Sequence, residues 1–381
     1  MAEVTYSRGL AGVIADESKI CTIDGVKGEL YYCGYPIQTL AKESHFTETA
    51  YLLFYSKLPT SSQLKEFESK LSAASEIPGF VYDLIRTTPK GAHPMRTLQA
   101  AVAALGMDEP VNSSHSWDEH REIAIRLTGA LSTLIAAIGR HRDGKDFVSP
   151  RSDLSHAANF LYMLTGEEPD AKIAKMFDTC LLLHAEHTFN ASTFTGRVVA
   201  STQADLYTAI SSAVGALYGP LHGGANERVL HMVDEIGGVD NLQAWFENAM
   251  ETKKKVMGMG HRVYKTIDPR AKILKGMLTV LAEEKGDTSS LEVLNQLADL
   301  MAKKMEESGK EIWPNVDFYS GTLYTLMGIE PIHYTPIFAL ARVSGWAAHC
   351  LELWTDSRLY RPKAHYVGDI DLEYTPIDSR S

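Results

Sequence analysis

The stretch 219–227, GPLHGGANE, sets His222 between a proline-leucine pair and two glycines. Gly223 and Gly224 free the backbone to take unusual angles and let a bulky group come close, while Pro220 stiffens the approach. Val229, Leu230, Val233 and Ile236 follow at helical spacing, which places His222 at the N-terminus of a predicted helix. The positive end of that helix would disfavour a second positive charge and keep the imidazole neutral, able to donate a hydrogen bond. A tight loop whose histidine merely caps a helix would carry the same residues.

Other residues invite chemistry of different kinds. Segment 253–275, KKKVMGMGHRVYKTIDPRAKILK, holds eight Lys or Arg against one acid, Asp268. The charges flank a Gly258-Met259-Gly260-His261 loop, suited to close backbone contact with phosphates. A dinucleotide fingerprint would need a third glycine and a preceding strand, and neither is present. A solvated basic helix face is the plainer explanation. His184 and His187, in LLLHAEHTFNAST, are expected on one helical face, as metal ligands or as hydrogen-bonded core residues; no HExxH pattern accompanies them. Asp317, in IWPNVDFYSG, reads as a cap or turn former at the start of a helix. Arg342 falls inside a predicted helix among small and apolar residues, where a guanidinium asks for a carboxylate from the protein or from a ligand. Arg361-Pro362-Lys363 near the C-terminus reads as a basic tail.

The elements that must position these residues are mostly helices. Ser116 and Glu119 form a capping-box pattern ahead of Ile123, Leu127, Leu131, Leu134 and Ile138. A second run starts near Asp170 and carries Ile173, Phe177, Cys180, Leu181 and His184 on one stripe, and a third is expected from Thr335 as N-cap with Pro336 in its first turn. Strand signals are confined to KICTIDGVKGELYYCGY, where Asp24-Gly25 could turn a small hairpin. EEKGDTSS, 283–290, reads as an exposed helix connection. The expected class is all-α with a small N-terminal β-hairpin.

With 381 residues and 45% hydrophobic composition the chain can bury a large core and form two domains. A net charge of −11 argues against nucleic acid or an anionic membrane surface as partner, so an anionic substrate would need its own basic pocket. Cys21, Cys33, Cys180 and Cys350 are scattered without a CxxC pair, which points to four reduced, mostly buried thiols. The opening MAEVTYSRGLAG has no signal-peptide pattern, and no later stretch approaches a membrane span because GALSTLIAAIG is broken by polar residues. A cytoplasmic protein is the expectation.

Taken in order, HAEHTFNASTFT, GPLHGGANE, GMGHRVYKTIDPR, NVDFYSG and RPKAHYVG resemble the citrate synthase family, and GLAGVIADESKICTIDGVKGELYY followed by GYPI is similar to its short prokaryotic members. Cys33 stands where those members often carry a basic residue. The resemblance implies a nearly all-helical homodimer, with a large domain over 1–222 and 331–381 and a small domain over 223–330 that closes on the substrates. It implies Asp317 as the base that takes a methyl proton from acetyl-CoA, His222 as donor to the thioester oxygen, and His261 as the group that polarises the oxaloacetate ketone. His187, His222, His261, Arg270 and Arg342 would hold oxaloacetate or citrate, with Arg361 reaching in from the other subunit. Lys255, Val256, Met257, Gly258, Met259, Gly260 and Lys265 would contact coenzyme A. Acetyl-CoA would be a co-substrate, with no permanently bound cofactor and no metal.

The nearest rival activity is 2-methylcitrate synthase, which uses propionyl-CoA; one methylene changes discrimination by only ~1–3 kcal/mol. Rivals of other classes are a metal-dependent hydrolase built on His184, His187 and Asp317, and a catalytically silent CoA-binding homologue.

Overall fold

A computed structural model describes residues 6–109, 116–309 and 311–380. Three short strands come first: β1 (Cys21–Asp24), β2 (Glu29–Tyr32) and β3 (Tyr35–Pro36). They form an antiparallel sheet with Cys21 opposite Tyr32, Asp24 opposite Glu29 and Tyr31 opposite Pro36. The Asp24 carboxylate closes the turn by accepting the Val26 and Lys27 N–H groups, each at 3.0 Å. Tyr32 is fully buried and donates its hydroxyl to the carbonyl of Glu186 at 2.8 Å, which seats the hairpin beside His187.

The rest of the ordered secondary structure is helical: α1 (Ile37–Glu43), α2 (Phe46–Tyr55), α3 (Ser61–Ala74), α4 (Gly79–Thr87), α5 (Pro94–Leu105), α6 (Trp117–Arg142), α7 (His156–Thr165), α8 (Ala171–His184), α9 (Ala191–Ala200), α10 (Leu206–Leu217), α11 (Ala225–Ile236), α12 (Val239–Glu251), α13 (Pro269–Lys285), α14 (Ser289–Glu307), α15 (Val316–Leu326) and α16 (Tyr334–Leu353). The capping box at Ser116 and Glu119 starts α6, Asp170 caps α8, and residues 286–288 make the exposed link between α13 and α14. All four cysteines are free thiols, three buried and Cys33 half-buried.

Two helices organise the interior. In α16 nearly every side chain is buried, and it packs on α2, α6, α8, α9 and α10. Against expectation, α6 is long and apolar enough to cross a membrane, but 89% of that stretch is buried inside the protein. Its polar breaks are satisfied inside the protein: the hydroxyls of Thr128 and Ser132 donate to carbonyls one turn back and that of Thr133 to the Ser75 carbonyl, so they cost the core little. Helices α11 to α15 pack largely on one another, α15 lying against both α11 and α13, and α12 against α14.

The start of α16 differs from the sequence expectation. The helix begins at Tyr334 with His333 in the cap position, so Pro336 sits at its third residue, where its missing N–H still breaks no helical bond. Thr335 is drawn away from capping because its hydroxyl donates to Glu227 at 2.7 Å in the first turn of α11.

Candidate functional site

His222 lies in the turn between α10 and α11, two residues before the α11 cap at Gly224. Gly223 is needed for close approach: a Cβ there would stand 2.5 Å from the Leu217 carbonyl oxygen. The helix end that governs His222 is that of α9, not α11. The Ser192 backbone N–H, in the first turn of α9, donates to His222 Nε2 at 3.3 Å, and Ser192 Oγ lies 2.8 Å from the same atom. A backbone N–H can only donate, so Nε2 is the bare nitrogen and the ring's proton is on Nδ1. Burial first, and then Arg342, push the His222 pKa down to about 4, so the ring is neutral near pH 7. The expected neutrality therefore has burial as its largest cause.

Ser192 is itself fixed. Its hydroxyl lies 2.7 Å from the Asn190 side-chain oxygen and accepts the indole N–H of buried Trp346 at 3.0 Å. Asn190, through that same oxygen, caps α9 by accepting the Thr193 N–H.

His261 is the complement of His222. Its Nδ1 accepts the backbone N–H groups of Val263 and Tyr264 at 3.0 and 3.2 Å, which leaves Nε2 as the protonated donor. Burial, then Arg270, bring its pKa down to about 4. His187 Nε2 lies 3.3 Å from the Tyr264 hydroxyl, and its ring centre is 5.2 Å from that of His261. Burial, then Arg270, hold His187 well below its ordinary value.

Asp317 sits in the first turn of α15, behind the true cap, Asn315, whose side-chain oxygen accepts the Asp317 N–H at 3.0 Å. The same asparagine donates to the Gly260 carbonyl at 2.9 Å, and its own N–H donates to the Gly258 carbonyl at 2.9 Å. These bonds bolt the aspartate's turn to the loop that carries His261. Gly258 is required there, with φ +73° and a Cβ that would meet Phe318 Cα at 2.8 Å. Asp317 Oδ1 is buried with no hydrogen-bond partner, and burial raises its pKa from 3.8 to about 6. A carboxyl kept short of partners and poised near neutrality is suited to accept a proton.

Two arginines border these groups. Arg342 is 1% exposed, lies over the Phe338 ring at 4.8 Å and donates Nε to the His184 carbonyl at 2.7 Å. Among the described residues it makes no salt bridge, and burial lowers its pKa. Among the described residues no carboxylate pairs with it directly, and the Glu186 charge only partly offsets its burial, which favours an anionic ligand. Arg270 meets Asp268 in a two-point pair, Nε to Oδ1 at 3.0 Å and Nη2 to Oδ2 at 2.7 Å. Burial works against its charge, but Asp268 holds it above its ordinary value.

Other expectations part from the structure. Helix α8 ends at His184, so His187 lies beyond it and the two do not share a helical face. His184 donates Nδ1–H to the Cys180 carbonyl at 2.8 Å, and burial takes its pKa to about 3. His184, His187 and Asp317 do not converge; among the described residues the group of possible metal ligands that does is His187, His261 and Asp268. In that group Asp268 is engaged by Arg270 and His261 Nδ1 by two N–H groups.

Of the residues expected to meet coenzyme A, Lys255 and Lys265 are exposed, Met257 and Gly260 half-buried. Val256, Gly258 and Met259 are buried, so the side chains of Val256 and Met259 serve as packing that shapes the loop. Gly260, His261 and Lys265 line a cavity of about 350 Å³ with Tyr264, Thr266, Glu311, Ile312 and Trp313. Arg361 is exposed and, among the described residues, bonds only to the Pro362 carbonyl, at 2.7 Å, joining none of these groups within one chain.

Sequence reasoning overlooked Ser192, Tyr264, Asp268, Asn315 and Phe338. Asp268 and Asn315 carried a local signal, an acid before proline and an asparagine opening a helix, both cap patterns. Ser192 carried none, because His222 and Trp346 are distant in the chain; Tyr264 and Phe338 lie close in sequence to His261 and Arg342, but nothing in their residue type marked them.

The citrate synthase C-terminal domain model matches residues 9–363. The citrate synthase of Deinococcus radiodurans is 46% identical over 98% of this chain and 99% of its own length. A 2-methylcitrate synthase of Mycobacterium tuberculosis is 38% identical over 95% and 90%. The Thermoplasma acidophilum citrate synthase, solved as a ternary complex with carboxymethyl coenzyme A and oxaloacetate, is 36% identical, superimposes with a TM-score of 0.93, and covers 99% of this chain and 100% of its own. The all-helical fold with one small sheet, the paired neutral histidines and agreement over nearly the full length together show that this chain belongs to the citrate synthase family.

Proposed function

We propose that these residues carry out the citrate synthase reaction, in which acetyl-CoA, oxaloacetate and water give citrate and CoA. The observation that carries the assignment is the pairing of opposite tautomers: His222 presents Nδ1–H and His261 presents Nε2–H, each fixed by backbone N–H groups on the other nitrogen. Two carbonyls take part in the reaction, and each needs a neutral donor where negative charge develops.

Asp317, ionised above about pH 6, removes a proton from the acetyl methyl group. A carboxylate alone is far too weak a base to form a free enolate, so His222 Nδ1–H donates to the thioester oxygen as the enol forms. The enol carbon attacks the oxaloacetate ketone, whose oxygen is polarised by His261 Nε2–H. Water then cleaves the citryl thioester, releasing citrate and CoA. Arg342, Arg270 through its unengaged Nη1, and His187 hold the oxaloacetate carboxylates. Arg361 serves the partner subunit's site in a homodimer. Lys255, Lys265 and the 255–260 loop hold coenzyme A. No permanently bound cofactor takes part. Residues 223–330 form the small domain, and its closure keeps water from thioester until condensation is complete.

The test is CoA release with acetyl-CoA or propionyl-CoA, with and without oxaloacetate. Release that requires oxaloacetate and is faster with acetyl-CoA is expected. A preference for propionyl-CoA would instead assign 2-methylcitrate synthesis, and release independent of oxaloacetate would assign a thioester hydrolase.

A further inference from the structure

Arg197, in the middle of α9, is 1% exposed, with its guanidinium over the Phe189 ring at 4.5 Å. It gathers three separate parts of the chain. It is salt-bridged to Asp16 in the N-terminal segment, donates Nη1 to the His349 carbonyl at 3.0 Å, and lies 3.6 Å from Glu352 at the end of α16. Nε and Nη2 donate to the Tyr360 hydroxyl at 3.1 and 3.0 Å. The Tyr360 hydroxyl donates in turn to the Asp16 carboxylate at 3.0 Å, its backbone N–H donates to Ser201 at 3.1 Å, and its ring stacks on Phe194.

Beyond this knot the chain changes character. Residues 361–380 have no helix or strand apart from one short turn of 3₁₀ helix, and Tyr366, Val367, Ile370, Leu372 and Tyr374 are exposed. The first residue of this arm is Arg361, whose side chain has left its own fold. A buried guanidinium is costly unless fully paired. Here it is paired with the two segments that flank the arm's root and with the root itself, and with no group of its own chain's site.

We propose that Arg197, acting through Tyr360, is a positioning residue for the partner's active site: it fixes the point from which the arm departs and so sets how well Arg361 reaches the partner's oxaloacetate. The inference rests on the reading that Arg361 serves the partner. One helix would then serve two sites, its N-terminal turn holding His222 of its own chain through Ser192 and its middle holding the arm that completes the other. Loosening the root leaves Arg361 chemically intact but lowers its effective concentration at the site.

Tyr360→Phe keeps the ring stacking and removes only the hydroxyl; Arg197→Lys keeps the charge and removes the fork. Each variant, as a homodimer, is expected to raise the oxaloacetate KM by about 3- to 10-fold, the worth of one or two hydrogen bonds, with kcat changed less than about 2-fold. The decisive measurement is made on a hybrid purified through two different tags, one chain Tyr360→Phe and the other His261→Ala. Its single working site lies on the Tyr360→Phe chain and receives the arm of the other, whose Tyr360 is intact, so a wild-type KM is expected. The reverse hybrid, with both substitutions on one chain and a wild-type partner, should keep the raised KM. An unchanged KM in both homodimers overturns the proposal, as does a raised KM that follows the working chain rather than the arm. A parallel Arg361→Ala and His261→Ala hybrid separates the premises: if it recovers activity while the Tyr360→Phe hybrid keeps its raised KM, the shared site stands and the role of Arg197 falls; if it stays inactive, the shared site falls too.

Discussion

Replacing Asp317 by asparagine should make the protein more stable and nearly inactive at the same time. Burial raises the carboxyl pKa from 3.8 to about 6, and its Oδ1 has no partner to offset the lost solvation. The sign follows directly: the folded state binds this proton more tightly than the unfolded chain, so folding is penalised once the group must ionise. Below pH 3.8 the carboxyl is neutral in both states and there is no penalty. The penalty grows as pH rises to about 6 and is complete above it, where a displacement of this size corresponds to about 3 kcal/mol. Asparagine has nearly the same shape and no charge to bury, so Asp317→Asn should recover up to about 3 kcal/mol at pH 8 and almost none at pH 4. Turnover should fall by roughly 10²–10⁴, the usual share of a general base. Urea unfolding followed by tryptophan fluorescence at both pH values, with steady-state kinetics on the same samples, measures both quantities. A variant no more stable than the parent at pH 8, or equally stabilised at both pH values, would show that Asp317 is not held in the costly ionised state from which its basicity is argued.

The same pKa sets the pH profile: kcat should fall about tenfold per pH unit below about 6 as Asp317 is protonated, while His222 and His261, neutral down to about 4, add no limb near neutrality; a flat profile to pH 5 would refute this. Ser192→Ala removes the hydroxyl held 2.8 Å from His222 Nε2 and leaves the backbone N–H, so kcat should drop by about 10-fold with the oxaloacetate KM unchanged, as initial-rate kinetics would register. Gly223→Ala places a methyl against the Leu217 carbonyl and should disrupt the His222 turn, whereas Gly224→Ala meets nothing within 4 Å and should be tolerated; activity and melting temperature of the two variants check the contrast. Exhaustive chelation should leave activity intact, because both carbonyls are polarised by histidines; a loss restored by zinc or magnesium would contradict that assignment.

What was legible in the sequence divides along physical lines. Helix starts were readable where a side chain does local work, as at Ser116 and Asp170, and misread at Thr335, whose hydroxyl is recruited by Glu227 more than one hundred residues away. The hairpin was readable because Asp24 builds its own turn. His222, His261 and Asp317 could be singled out by their glycine and proline surroundings. What could not be read is which nitrogen of each histidine carries the proton, since that is decided by Ser192 for one and by Val263 and Tyr264 for the other, once the chain has folded. The periodicity that put His184 and His187 on one helix failed for a related reason. The segment after His184 leaves the helix, and Thr188, two residues before the α9 cap, takes φ +53°, a conformation that no apolar pattern announces.

The central claim is that one site joins the methyl carbon of acetyl-CoA to the ketone carbon of oxaloacetate. It is tested most directly by giving the enzyme acetyl-CoA labelled at the methyl carbon together with unlabelled oxaloacetate, and identifying the labelled product by NMR while counting released thiol. The account predicts label in a methylene of citrate, one free CoA for each citrate formed, and loss of both signals together in His222→Ala, His261→Ala and Asp317→Asn. Label recovered as acetate, or thiol released without citrate, would contradict it.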